Sequence, residues 1–205
     1  MKKSTIDKIK QFYEHDDPSH DWLHIERVSR TCRILAKELG ANLDILIPAA
    51  YLHDVINIPK DSQLRSKASL IASEKAQEIL SDDQYSMDEI KQITQIIIEH
   101  SYSANIKASS IESQILQDAD KLDGMGAIGV MRWVTCGTKM KASYYHSGDP
   151  WGEQRELDDK KYSLDHFEKK LLRLYGRLNT KQAQIEGQKR LDFFHSFLDQ
   201  LKSEV

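Results

Sequence analysis

What this chain has little of limits what it can be. Its 205 residues contain two cysteines, Cys32 and Cys136, in no CxxC or repeated spacing. That excludes a disulfide framework or a thiolate metal cluster, and the pair reads as reduced thiols of a cytoplasmic protein. Nowhere does an apolar run reach the ~18 residues that a membrane span needs. The opening Met1-Lys-Lys-Ser-Thr-Ile-Asp-Lys has no apolar h-region, so no signal peptide is expected. Charge of one sign is not in excess either: 29 Lys and Arg against 32 Asp and Glu give a net −3 and a pI near 6.2. No global field then draws the chain to nucleic acid or to a membrane, and neither is expected as a partner. No stretch alternates with period two, which removes half-buried strands.

What remains is helix. Glycines number 9 and prolines 4, hydrophobic residues make up 40% and charged residues 30%, an ordinary soluble composition. From Trp22 to Leu39 the apolar positions Ile25, Val28, Cys32, Leu35 and Leu39 are spaced 3, 4, 3, 4, with Gly40 placed to end the helix. Asp44 is read as the cap of a helix over 45–56 that carries Leu52-His53-Asp54, with Pro48 in about its first turn. Ser86-Met-Asp-Glu89 and Ser109-Ser-Ile-Glu112 have capping-box form and open helices running to His100 and past Leu122. Gly124, Gly126 and Gly129 allow a turn or a close helix crossing. Periodicity fades over 136–162, a stretch holding Tyr144, Tyr145 and Trp151, read as a loop that is either disordered or a substrate lid. Ser163 is read as the cap of a helix that puts Leu164, Phe167, Leu171, Leu174 and Leu178 on one face; a last helix shows Leu191, Phe194, Leu198 and Leu201. The fold class is all-α, one bundle of about eight or nine helices over 1–205, and an apolar face left over at a terminus leaves a homodimer open.

Chemistry concentrates in three of these helices. His24 opens the first strong one, with His20 a turn earlier. His53-Asp54 ends the next, and Asp120 sits between apolar Ala119 and Leu122 in Gln117-Asp-Ala-Asp-Lys-Leu-Asp123. Two histidines and two inward carboxylates from three helices form a divalent-metal set. Ligands of nitrogen and oxygen without sulfur favour one ion of Mn, Mg, Fe, Co, Ni or Zn.

His24, His53-Asp54 and Asp120 resemble the H…HD…D signature of the HD superfamily of metal-dependent phosphohydrolases. The surrounding runs Ser19-His-Asp-x-x-His24-x-x-Arg27-Val, Leu52-His-Asp-Val-Ile-Asn57, Glu99-His-Ser101, Gln117 to Gly129 and His166-Phe-x-x-Lys170 resemble its small stand-alone bacterial hydrolases. The resemblance implies an all-helical HD domain, metal ligation by His24, His53, Asp54 and Asp120, and hydrolysis of nucleoside or deoxynucleoside triphosphates by a metal-activated water. Related branches place an acid where this chain has Asn57, so that acid/base residue does not carry over.

Proton transfer then falls to His20, His100 or Asp123, with a lean to His100, and Asp54 is expected to bond the attacking water as well as the metal. Arg27, a turn past His24, can reach an anion at the metal. Lys60 lies in the loop after the His-Asp pair, whereas Arg132 and Lys170 rest on the resemblance. Lys121 is read as solvated. Of Asp118 and Asp123, one is expected to orient a ligand and the other to be a surface charge. Tyr144, Tyr145 and Trp151 either stack a base or pack their loop. Two other classes stay open, an HD-type di-iron oxygenase and a non-catalytic nucleotide sensor.

Overall fold

A computed structural model describes residues 1–205 except 15, 16, 57, 59–61 and 102–105. The described residues form nine α-helices joined by turns and short 3-10 segments, with no named strand. None of these helices is long and apolar enough to cross a membrane. By its internal contacts the chain divides into two compact units, Met1–Asp120 and Lys121–Val205.

The first unit holds α1 (Lys3–Lys10), α2 (Trp22–Leu39), α3 (Leu43–Leu52), α4 (Ala68–Ser81), α5 (Met87–His100) and most of α6 (Ile111–Asp123). Its centre is α3, which packs against α1, α2, α4 and α5. Seven of its ten residues are buried, Ile45 to Ala50 without a break and then Leu52. A helix apolar on every side belongs inside a bundle rather than on its surface. The cap is Asn42, whose side chain accepts from the Asp44 amide, not Asp44 itself. That start makes Pro48 the sixth helical residue rather than a first-turn one. The α5 capping box forms as read, whereas α6 is capped one residue later than expected: Ser110 Oγ accepts from the Ser113 amide at 3.1 Å. Ser109 turns its amide instead to Glu99, 2.9 Å away.

The second unit holds α7 (Gly126–Lys139), α8 (Asp165–Lys169) and α9 (Lys181–Glu204). Trp133, Phe167 and Phe194 form its core, with ring centroids 5.1 and 5.2 Å apart in edge-on contacts. The single helix read after Ser163 is broken. α8 ends at Lys170, where φ −138° and ψ −57° leave the helical region, and two 3-10 turns follow. Its five apolar positions are all buried nonetheless, so the pattern reported burial and not continuity. Gly126 turns with φ +68°. At Gly129 a Cβ would stand 2.5 Å from the Gly124 carbonyl oxygen, so the close crossing allows no side chain.

Residues 136–139 belong to α7, so the aperiodic stretch starts at Met140. The Thr135 and Thr138 hydroxyls bond back to the carbonyls one turn earlier, which uses polar residues without breaking the helix. The loop beyond is braced. Ser143 pairs with Lys161 and Ser163 through backbone bonds of 3.0 and 2.8 Å. Asp149 accepts from the Glu153 and Gln154 amides. Arg155 grips buried Asp165 with two bonds of 2.6 and 2.7 Å. Lys202 lies over the Trp151 ring.

Burial pushes the Asp165 carboxyl up, but the Arg155 bonds outweigh it and hold the group below the usual carboxylate range. The pair's contribution is complete above the unfolded carboxyl value of ~3.9 and is lost as pH falls through the lower folded one. Asp165→Asn is expected to cost about 3 kcal/mol in urea unfolding at pH 7. That difference should shrink below about pH 4. Gly129→Ala is expected to cost about 3 kcal/mol by the same measurement, because two backbones would have to part.

Candidate metal centre

Each histidine of the site sits at a helix end, where backbone groups are available to aim it. His24 is the third residue of α2, its amide capped by Asp21 Oδ1 at 3.0 Å. His53 follows the last residue of α3 and His100 is the last of α5. Both turn Nδ1 onto the carbonyl three residues back, Ala50 at 2.8 Å and Ile97 at 2.6 Å. A carbonyl only accepts, so the proton is on Nδ1 and Nε2 is left to face inward.

What it faces is acidic. Asp54 Oδ2 stands 3.8 Å from His53 Nε2 and 3.9 Å from His24 Nε2, and Asp120 Oδ1 lies 3.7 Å from His24 Nε2. The other oxygen of Asp54 is 3.6 Å from His100 Nε2. The side chains of His24 and His53 are fully buried, whereas Asp54 and Asp120 are 28% and 25% exposed. The site is therefore a cup with a floor of imidazoles and a rim of carboxylates open to solvent.

These distances are too long for hydrogen bonds and suit groups that share a cation. His53 Nε2 is buried with no hydrogen-bond partner among the described residues, a state that ordinarily costs about 1–3 kcal/mol. Burial also pushes the His53 pKa down to about 4, so the ring is neutral with its lone pair available at neutral pH. Burial pushes Asp54 up, yet the imidazoles of His53 and His100 beside it hold it well below the usual range. His100 is pulled down by burial and raised on balance by Asp54. Ligand atoms of His24, His53 and Asp120 lie within 4.8 Å of one another, as do those of His53, Asp54 and His100. A neutral imidazole floor and an anionic rim, without sulfur, fit one divalent ion of the Mn, Mg, Fe, Co, Ni or Zn kind.

The structure thus brings together His24, His53, Asp54, His100 and Asp120. His20 is adjacent, its ring 6.0 Å from His24 and its Nδ1 3.1 Å from Asp17 Oδ2. Asp17 had drawn no attention in the sequence, although its spacing three residues before His20 was a signal. Arg27 is half-buried one turn beyond His24. Lys60 and Asn57 lie outside the described residues. Arg132 and Lys170 belong to the second unit, where Arg132 is paired with Asp123 at 2.8 Å. Two surface readings are corrected. Asp118 and Asp123 are both buried, and so is Lys121. Tyr144 is 64% exposed, whereas Trp151 is half-buried beneath Lys202.

Removing the nitrogen at the floor is the direct check. Wild-type protein dialysed against Mn²⁺ is expected to retain one ion per chain. His53→Ala and Asp120→Ala should each bind it more than ~100-fold more weakly, since even outer partners of a metal are worth 10–100-fold.

Comparison with known proteins places the chain among relatives of similar length. The Bacillus subtilis protein YpgQ is 26% identical over 202 residues, covering 96% of this chain and 90% of its own. Its crystal structure in complex with ADP superposes with a TM-score of 0.75 at 26% identity, over 98% of this chain and 97% of that one. A Lactobacillus plantarum structure covers 100% of this chain and 98% of its own, with 29% identity and a TM-score of 0.77. An HD-superfamily hydrolase from Bacillus thuringiensis is 30% identical over 98% of this chain and 94% of its own, with a TM-score of 0.74. The HD domain family itself matches residues 22–125, the span that contains every member of the cup. The chain belongs to the HD-domain family.

Proposed function

We propose that this protein is a metal-dependent phosphohydrolase acting on a nucleotide, a nucleoside or deoxynucleoside triphosphate cleaved to release pyrophosphate or phosphate. The observation that carries the reading is the buried Nε2 of His53, partnerless among the described residues, beneath two half-open carboxylates. Hydrolase chemistry is supported by the Bacillus thuringiensis relative, and a nucleotide ligand by the ADP complex of YpgQ.

His24, His53, Asp54 and Asp120 would hold the ion. When bound, a divalent ion supplies Lewis acidity to a phosphoryl oxygen and lowers the pKa of a water. The part-exposed rim lets a phosphate enter while the histidine floor excludes solvent from beneath. Asp54 is held ionised, so it accepts a hydrogen bond from the attacking water. His100 has Nδ1 committed to Ile97, so it can move a proton only at Nε2, the atom that faces Asp54. His20, steadied by Asp17, is the second group proposed for proton transfer. Arg27 supplies positive charge to the bound phosphate from one turn along α2. Lys60, Arg132 and Lys170 are proposed as phosphate contacts on the family resemblance alone.

A panel of NTPs and dNTPs with Mn²⁺, assayed separately for pyrophosphate and orthophosphate, tests this. Turnover should fall on the order of 10³-fold in Asp54→Ala, the several kcal/mol that metal-centred charge stabilisation provides. No turnover with metal bound and nucleotide retained would make the protein a sensor. No turnover with two irons per chain would make it an oxygenase, the reading favoured by the second ligand group at His53, Asp54 and His100.

A further inference from the structure

Glu99 stands where helix physics disfavours it, a carboxylate in the last turn of α5, near the negative end of the dipole, and 2% exposed. Its burial is compensated by bonds from its own helix and from the start of α6. Gln95 Nε2 donates to Oε1 at 2.7 Å and the Ser109 amide to Oε2 at 2.9 Å. The Glu99 main-chain carbonyl accepts from Gln117 Nε2 at 2.8 Å, and the same amide nitrogen also donates to the Ile106 carbonyl at 3.0 Å.

Two covalent facts give this latch a role. The Glu99 carbonyl belongs to the same peptide group as the His100 nitrogen, so Gln117 holds the peptide from which the His100 side chain departs. Gln117 also precedes Asp120 by one helical turn, and Ser113, Gln117 and Asp120 fall at i, i+4 and i+7 along one face of α6. One buried amide therefore ties the backbone of His100 to the helix that presents Asp120, across a ten-residue connection. Nothing in the 3.6-residue pattern requires a long polar side chain at that buried position.

We propose that Gln117, with Glu99, is a positioning residue of the metal centre: it sets the separation of the α5 end from α6 and so the placing of Asp120 and His100 around the ion. The inference rests on reading the cup as a metal centre. It predicts that Gln117 acts on metal binding without touching the metal.

The test uses full-length protein with Co²⁺, reading the dissociation constant by chelator competition and the ligand geometry by the visible d–d spectrum. Gln117→Met keeps the length and bulk of the side chain but has no donor; Gln117→Ala is run alongside, and unfolding is followed in the metal-free proteins. Gln117→Met is expected to remain folded, to bind Co²⁺ about 10-fold more weakly and to show an altered d–d band. Unchanged affinity and spectrum in a folded Gln117→Met protein, even with a lowered melting temperature, would overturn the inference and leave the metal reading intact. Wild-type protein that takes up no cobalt sensitive to His53→Ala would overturn the metal reading, and this inference with it.

Discussion

The first unit depends on the cost of burying the His53 imidazole. Its ring ends a helix that is apolar on every side, with burial unbroken from Ile45 to Ala50, so the chain cannot deliver His53 anywhere but the interior. There the Ala50 carbonyl accepts from Nδ1, and among the described residues no group bonds Nε2. A buried lone pair without a donor is tolerable only if something electropositive is meant to meet it. Asp54 and Asp120 bring two anions within 4 Å of these buried imidazoles, a charge arrangement that suits a cation.

The site repeats one device. At the ends of α3 and α5 a histidine bonds to the carbonyl three residues back, and in both cases this aims Nε2 at a different oxygen of Asp54. The helix terminus provides the unsatisfied carbonyl, and the side chain that satisfies it is oriented at the same time. Asp54 is shared between the two rings, which help to hold its carboxyl below the usual carboxylate range. The second unit solves a different problem. Its loop from Met140 has little apolar residue to bury, and it is held by backbone pairs and by the Arg155–Asp165 grip.

Much of this was legible beforehand because it depends on local rules. The 3.6-residue period of Ile25, Val28, Cys32 and Leu35 located α2, and Ser86 with Glu89 located the start of α5. The His-Asp pair after an apolar run, together with His24 and Asp120 beside buried stripes, pointed to the cup. The failures share a cause too. Lys121 reads as solvated and one of Asp118 and Asp123 as a surface charge, but all three are buried, because charge alone does not report which side of a helix is covered. The break after α8 was invisible because 3-10 turns carry buried leucines at spacings that an α-helix also allows.

The sequence by itself determined the helices, the all-apolar α3 and the identity of the cup's histidines and carboxylates, since periodicity, caps and ligand chemistry are properties of residues and their spacing. Only the tertiary structure decided which of those groups meet. His100 adjoins Asp54 although 46 positions separate them, and Gln117 reaches back to the peptide of His100. Such pairings depend on how helices cross, which is set by packing between residues far apart in the chain and by the need to satisfy every buried polar group at once.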